Sequence, residues 1–320
     1  MNRAISGIQP SGKLHIGNYF GMMKPAIDMQ KEHETFLFIA DYHALTSVRD
    51  PNILKNLIKD AVLDFLACGI DPEKVFLYKQ SDVPQVHELS WFLSVLAPMG
   101  LLERCHSFKD KLAKGLNSTH GLFSYPILMA SDILSIKASI VPVGKDQKQH
   151  VEVTRDLAIK FNNLYGEVFD LPNPLINERV ASIPGVDGQK MSKSYNNVIG
   201  IFESDKILEK KIKKIVTDSK NIEDKKDPES CNIFSLYKLF SNADEQKELA
   251  KNYYAGGMGY GYAKNSLLKK INQYFEPMRE KRLELEADND YIEDILKNGA
   301  KKASLIASDV LKNVKAAVGL

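Results

Sequence analysis

Ala4-Ile5-Ser6-Gly7-Ile8-Gln9-Pro10-Ser11-Gly12-Lys13-Leu14-His15-Ile16-Gly17-Asn18 runs from a short apolar strand, through a turn of Pro, Ser and Gly, into the start of a helix. A strand that passes at once into such a turn and a helix is the opening unit of an open parallel sheet, whose ligands gather where the strands end. Gly17 puts no side chain in the way of a flat ring, and amides at a helix start beside an imidazole can meet phosphate oxygens. Taken alone, the same residues also make an ordinary strand-to-helix turn.

Outward from this unit the pattern repeats. Thr35–Ala40, Val75–Tyr78 and Ser139–Val143 are short apolar runs of the kind that form buried parallel strands. Between them the chain reads as helix. Asp50 can cap and Pro51 suits a first turn, and Ile53, Leu54, Leu57, Ile58, Ala61, Val62, Phe65 and Leu66 form one stripe before Gly69 and Pro72 stop it. A second helix is expected over 147–164, with Val151, Leu157, Ala158, Phe161 and Leu164 inward. The fold class is therefore α/β, a parallel sheet covered by helices, followed by a second, all-helical domain. The helical part reads from 207–216, 233–241, 245–253, 262–284 and 300–317, where Lys, Glu, Leu and Ile dominate; 218–228 is polar and loop-like.

Composition narrows the class. With 44% hydrophobic and 26% charged residues the chain can build a packed core, which excludes disorder. The formal charge is only +2, so a polyanionic partner must be met locally. Cys68, Cys105 and Cys231 lie far apart with no CxxC pair, so no metal or disulfide framework is expected. The N-terminus has no signal-like apolar stretch and no window suits a membrane span, so a cytoplasmic protein with no membrane partner is expected.

A second chemical stretch is Gly188-Gln189-Lys190-Met191-Ser192-Lys193-Ser194, with Gly185 and Asp187 before it and Asn196 and Asn197 after it. Its composition is that of an exposed, mobile loop. Two lysines three residues apart on a closing loop can neutralise charge that develops on a pyrophosphate leaving group. Most Lys-Ser-Lys pieces are only solvated loops, but the paired His-Ile-Gly-Asn segment upstream weighs against that reading here.

The two stretches resemble the HIGH and KMSKS signatures of class I aminoacyl-tRNA synthetases, the second intact at Lys190–Ser194, the first ending in Asn18 rather than His. Three more stretches resemble the bacterial tryptophanyl-tRNA synthetase family: 6–12, 125–134 and Val141-Pro142-Val143-Gly144-Lys145-Asp146-Gln147-Lys148-Gln149-His150. The likeness continues through 216–219 and the glycine-rich turn at 256–261. It implies a tryptophan–tRNA ligase that makes tryptophanyl-adenylate and pyrophosphate from L-tryptophan and ATP, then acylates tRNA(Trp). It also implies a homodimer and three parts: 1–194, a Rossmann-type parallel-sheet catalytic domain for ATP and tryptophan that includes the KMSKS loop; 195–290, helical, for the anticodon; and 291–320, a C-terminal helix packing back toward the catalytic domain.

Residue by residue, the resemblance implies that Gln9, Pro10, Ser11, Gly12, Gly17, Asn18, Met191, Ser192 and Ser194 lie along ATP, with Gly144 and Asp146 near its ribose. His15, Lys111, Lys190 and Lys193 would be catalytic, the lysines meeting the phosphates with Mg²⁺. Ile5, Met129, Val141 and Val143 would be apolar walls for tryptophan, though core packing needs such residues anyway. Tyr125 and Gln147 would meet the substrate ammonium, with His43 nearby. Asp132 lies in the apolar run Leu128–Leu134, where a carboxylate is expensive to bury. It is either a capping or backbone-paired carboxylate or, as the family suggests, the acceptor that the lone indole N–H requires. No protein-bound metal is expected. The run 209–214 supplies positive charge for tRNA phosphates, or is a solvated helix face. Within the same class a tyrosyl enzyme is the nearest alternative; an adenylyltransferase would not need the long helical part.

Overall fold

The computed structural model describes residues 2–10, 12–105, 109, 119–144, 147–176 and 183–320, with only the main chain of Ser194. Five parallel strands, β1 (Arg3–Ile8), β2 (Glu34–Ile39), β3 (Val75–Lys79), β4 (Ile140–Val143) and β5 (Asn173–Ile176), lie in the order β3-β2-β1-β4-β5. The order reverses at β1 and β4, so the crevice that takes ligands in such sheets opens where these two strands end, at Gln9 and Gly144. Four strands match the apolar runs read from the sequence. β5 was not anticipated, because Asn173-Pro174-Leu175-Ile176 is half exposed and carries a proline that only an edge strand tolerates.

The chain divides into two compact units, the first made of 1–12, 22–177 and 285–320, the second of 13–21 and 178–284. In the first, Ile5, Phe36, Phe38, Tyr78 and Val141 alternate along the strands onto one face of the sheet. There they pack with Ile133 and Ile136, and with Ala300, Ala303 and Ala307 of the C-terminal helix. A second cluster joins four helices, Gln85–Leu96, His120–Ser135, Lys148–Tyr165 and Asn289–Val318, through Leu93, Ile127, Leu157, Phe161, Val310 and their neighbours.

The expected helix starting at Asp50 is present as Pro51–Ala67, and the Asp50 carboxylate accepts the N–H groups of Asn52 at 2.8 Å and Ile53 at 3.1 Å. Its first turn is outside the core, however, and Ile53 is exposed. In Lys148–Tyr165, Val151, Leu157, Ala158 and Phe161 are buried as expected, but Leu164 is not. The chain after the helix folds back through Asn162, whose amide oxygen accepts from the Val168 and Phe169 N–H groups, and the Phe169 ring packs against Phe161 with centroids 4.9 Å apart.

The C-terminal helix runs over Asn289–Val318, starting ahead of the apolar run at 300 and close to the 291 given by the resemblance, and is capped by Asp288. Gly299 lets it lie directly on β3: a Cβ there would fall on the carbonyl oxygen of Leu77. Gly299→Ala should lower stability by about 1–3 kcal/mol through overpacking, read as a lower thermal unfolding midpoint.

The second unit buries Leu208, Ile212, Phe234, Leu249, Tyr253, Leu267 and Phe275 from the helices Asp205–Lys213, Asn232–Tyr237, Ala243–Ala255 and Tyr260–Glu286. The segment 13–21 belongs to it through aromatic packing. Tyr19 meets Phe275 at 5.1 Å, Phe20 meets Phe240 at 5.3 Å, and the Tyr19 and Tyr274 hydroxyls are 3.0 Å apart. Among the described residues, no helix is long and apolar enough to cross a membrane. Cys68, Cys105 and Cys231 are buried free thiols.

Candidate active site

The sequence-derived site residues fall in two sets, one in each unit. Ser11, Lys111 and Asp146 lie outside the described residues.

In the first unit the polar centre is Asp132, 3% exposed on the helix His120–Ser135. Gln80, almost fully buried just past β3, donates from Nε2 to both carboxylate oxygens at 2.8 and 2.9 Å. The Nε2 of His43 lies 2.9 Å from Oδ2. Burial pushes the Asp132 carboxyl up from its ordinary pKa, against the hydrogen bonds and charge of His43 and the Gln80 amide, which pull it down. A carboxylate offers about four acceptor directions, and these three contacts leave it able to take one more donor. This is neither a helix cap nor a backbone pair, the ordinary alternatives for a buried Asp.

Ile5 and Val141 are buried in one apolar cluster with Ile133, the residue after Asp132, while Met129 and Val143 are only partly buried against it. Tyr125 Oη is 2.8 Å from His150 Nε2, and His150 Nδ1 is 2.8 Å from Gln147 Oε1. At the strand ends, Gln9 donates from Nε2 to the His43 carbonyl at 3.0 Å, Pro10 is buried, and Gly12 takes a φ of 129° that suits glycine. Gly144 is exposed, and its carbonyl accepts the Gln147 N–H at 3.0 Å. The sequence reading named neither Gln80 nor His150 among the candidate residues. Gln80 was detectable as a polar residue at a strand's C-terminal end, and His150 by its i+3 spacing from Gln147.

In the second unit His15 caps the single turn Ile16–Asn18. Its Nδ1 accepts the Asn18 N–H at 3.3 Å, and the Asn18 carboxamide accepts the His15 N–H at 3.4 Å. Asn18, which stands where the signature has His, thus serves as the reciprocal cap. Burial first, then the charges of Lys193 and Lys211, lower the His15 pKa to about 4. At neutral pH the ring is uncharged, and with Nδ1 accepting, its proton sits on Nε2 as a donor. A Cβ at Gly17 would approach the His15 ring at 3.0 Å and Met191 Cβ at 3.5 Å. Backbone bonds join the first signature to the stretch that follows the lysine-bearing loop: Ile16 N–H donates to the Ile199 carbonyl at 2.9 Å and Ile201 N–H to the Leu14 carbonyl at 3.3 Å.

The lysine-bearing loop is held at its base by Asn197. Asn197 is 1% exposed. Its Oδ1 accepts from Ser192 N–H at 2.8 Å, and its Nδ2 donates to Asp187 at 2.7 Å and to the Lys190 carbonyl at 3.1 Å. Met191 is buried and its N–H bonds to Ile183, while Lys190 is exposed and Lys193 half-buried. Asn197 was legible only as a loop residue. Farther along, Lys206, Lys210, Lys213 and Lys214 with Glu209 surround a shallow surface hollow.

Because His15 has a lower pKa folded than unfolded, the unfolded chain takes up the proton first. The stability tied to the neutral ring is complete above about pH 6.5 and is lost as pH falls toward about 4. Urea unfolding between pH 7 and 4.5 should show a shallower loss in His15→Gln than in the unmutated protein.

Residues 1–276 match the family model described as "tRNA synthetases class I (W and Y)". The chain is 54% identical over 321 residues to the tryptophan–tRNA ligase of Fusobacterium nucleatum, covering 100% of this chain and 98% of that protein. It is similar in structure to tryptophanyl-tRNA synthetase from Campylobacter jejuni complexed with ADP and tryptophan, with a TM-score of 0.94, 53% identity, and coverage of 99% of this chain and 100% of that one. The corresponding structure from Mycoplasma pneumoniae gives a TM-score of 0.85 at 32% identity, covering 100% of this chain and 98% of that one.

Proposed function

The chain belongs to the class I tRNA synthetases of the tryptophan and tyrosine family, and on that basis we propose how its residues activate L-tryptophan with ATP and transfer it to tRNA(Trp). The observation that carries the residue assignments is Asp132, a buried carboxylate held by Gln80 and His43 with room for one more donor. Indole N–H is a donor with no lone pair, which suits that acceptor. A phenol must both give and take a hydrogen bond. Ile5, Met129, Val141 and Val143 line the ring, and Tyr125 and Gln147 take the ammonium.

In the first step a tryptophan carboxylate oxygen bonds to the α-phosphorus and the bond to the β,γ-pyrophosphate breaks. The nucleophile is already anionic, so the protein need only align the reactants and stabilise charge. To ATP we assign Gln9, Pro10, Ser11, Gly12, Gly144 and Asp146, and Gly17, Asn18, Met191, Ser192 and Ser194. The neutral His15 donates from Nε2 to a phosphate oxygen, and Lys111, Lys190 and Lys193 meet the developing pyrophosphate charge. In the second step a ribose hydroxyl of the tRNA 3′ end attacks the acyl carbon and AMP leaves.

Among the described residues no His, Cys, Asp and Glu cluster could hold a metal, and the signature loops bear cations. Mg²⁺ would be carried by the phosphate oxygens of ATP and would neutralise charge there beside the lysines. We divide the work as 1–194 for activation, 195–290 for the anticodon and 291–320 as a helix supporting the catalytic part. The outward lysines of Asp205–Lys213 support phosphate contact with tRNA. A homodimer is supported by the exposed apolar side chains of Trp91, Val95 and Met99, and a cytoplasmic location by the three free thiols. Charging assays should give labelled tryptophan on tRNA(Trp), with loss on EDTA addition and recovery with excess Mg²⁺. Acylation of tRNA(Tyr) with tyrosine instead would reject the assignment.

A further inference from the structure

Resting on the reading that the two signatures meet the triphosphate of ATP, we propose that Lys211 is a further positive charge of that site, held beside His15 by Glu203 as its positioning residue. Lys211 lies on the helix Asp205–Lys213, which follows the lysine-bearing loop. Its neighbours Lys206, Lys210, Lys213 and Lys214 face the surface hollow, whereas Lys211 is half-buried and pairs with Glu203 Oε1. The Glu203 side chain lies on Gly200, where a Cβ would fall 2.8 Å from both its Cγ and Oε1. Gly200 in turn is the antiparallel partner of His15, within the backbone bonds that join 14–16 to 199–201. A single glycine, without a side chain, therefore stands between the ion pair and the imidazole. Burial leads the lowering of the His15 pKa, and of this pair it is Lys211 that adds to it, after Lys193. A phosphate drawn to His15 enters the field of the same ammonium, which is poorly screened in a half-buried setting. The other cation near Glu203 is Arg279, which donates to the Ile201 carbonyl at 3.3 Å and to Asn272 Oδ1 at 2.9 Å. The carboxylate hydrogen-bonds Lys211 instead, and uses one of its three ammonium protons. A lysine stem fixed in this way before ATP arrives loses less rotamer freedom on binding.

A salt bridge that only holds the fold together is the competing role, and a double variant separates the two. Lys211→Met alone strands the Glu203 carboxylate, one oxygen of which is already buried without a partner, so it should also lower the thermal unfolding midpoint. Glu203→Gln combined with Lys211→Met removes that stranded charge and should recover the midpoint. ATP–pyrophosphate exchange and tryptophan binding by calorimetry should be measured for the unmutated protein, for the single and double variants, and for Lys211→Arg. In the single and the double variant alike, kcat/KM for ATP should fall about 10-fold with tryptophan affinity unchanged. Lys211→Arg, which keeps the charge, should stay within about 3-fold of the unmutated protein. Full exchange activity in the double variant, or equal losses in ATP use and tryptophan binding, would overturn the proposal. Exchange that is unaltered in both His15→Gln and Lys193→Ala would instead reject the phosphate reading itself, and the proposal with it.

Discussion

Asp132→Asn is expected to lower kcat/KM for tryptophan on the order of 100-fold while leaving the KM for ATP nearly unchanged. Gln80 donates to both carboxylate oxygens and His43 lies against one of them. An asparagine offers one oxygen and one NH₂, so its amide would face a donor on one side or turn away from the indole on the other. The loss should not reflect unfolding. The Asp132 pKa is raised in the folded protein, so above the ordinary carboxylate range its ionised form opposes folding, and removing the charge relieves that cost. Exchange kinetics beside a thermal unfolding midpoint separate the two effects. An unchanged tryptophan KM would take Asp132 out of contact with the indole.

Lys193→Ala should slow adenylate formation by about 10²- to 10³-fold, the scale expected when a charge-stabilising donor is removed from a transition state. Tryptophan affinity should be retained, since the Asp132 group lies in the other compact unit. A second signal accompanies the rate. Lys193 is one of the cations that depress the His15 pKa to about 4, so the histidine should titrate at higher pH in the variant. Equal losses in rate and tryptophan binding would point to damage to the fold.

The parallel sheet was legible because buried strands leave continuous apolar runs, and the Pro51–Ala67 helix because Asp50 and Pro51 mark its start. β5 was not, since its Pro174 and alternating exposure give no apolar run. The charged and aromatic residues of the candidate site were named only through the resemblance that the two signatures carry. The residues that hold them were harder to see: Gln80 acts on Asp132, 52 positions away, through a contact that exists only once β3 and the helix His120–Ser135 are brought together. Asn197 had loop composition, and its burial depends on the turn at 185–192 folding over it. The segment 13–21 sits in sequence beside β1, yet its aromatic residues take their partners, Phe275 and Phe240, from more than two hundred residues later.

ATP–pyrophosphate exchange assayed with each proteinogenic amino acid in turn is the most direct test of the function. L-Tryptophan alone should drive reversible incorporation of labelled pyrophosphate into ATP. Exchange driven equally by tyrosine, or none with tryptophan and Mg²⁺ present, would contradict it.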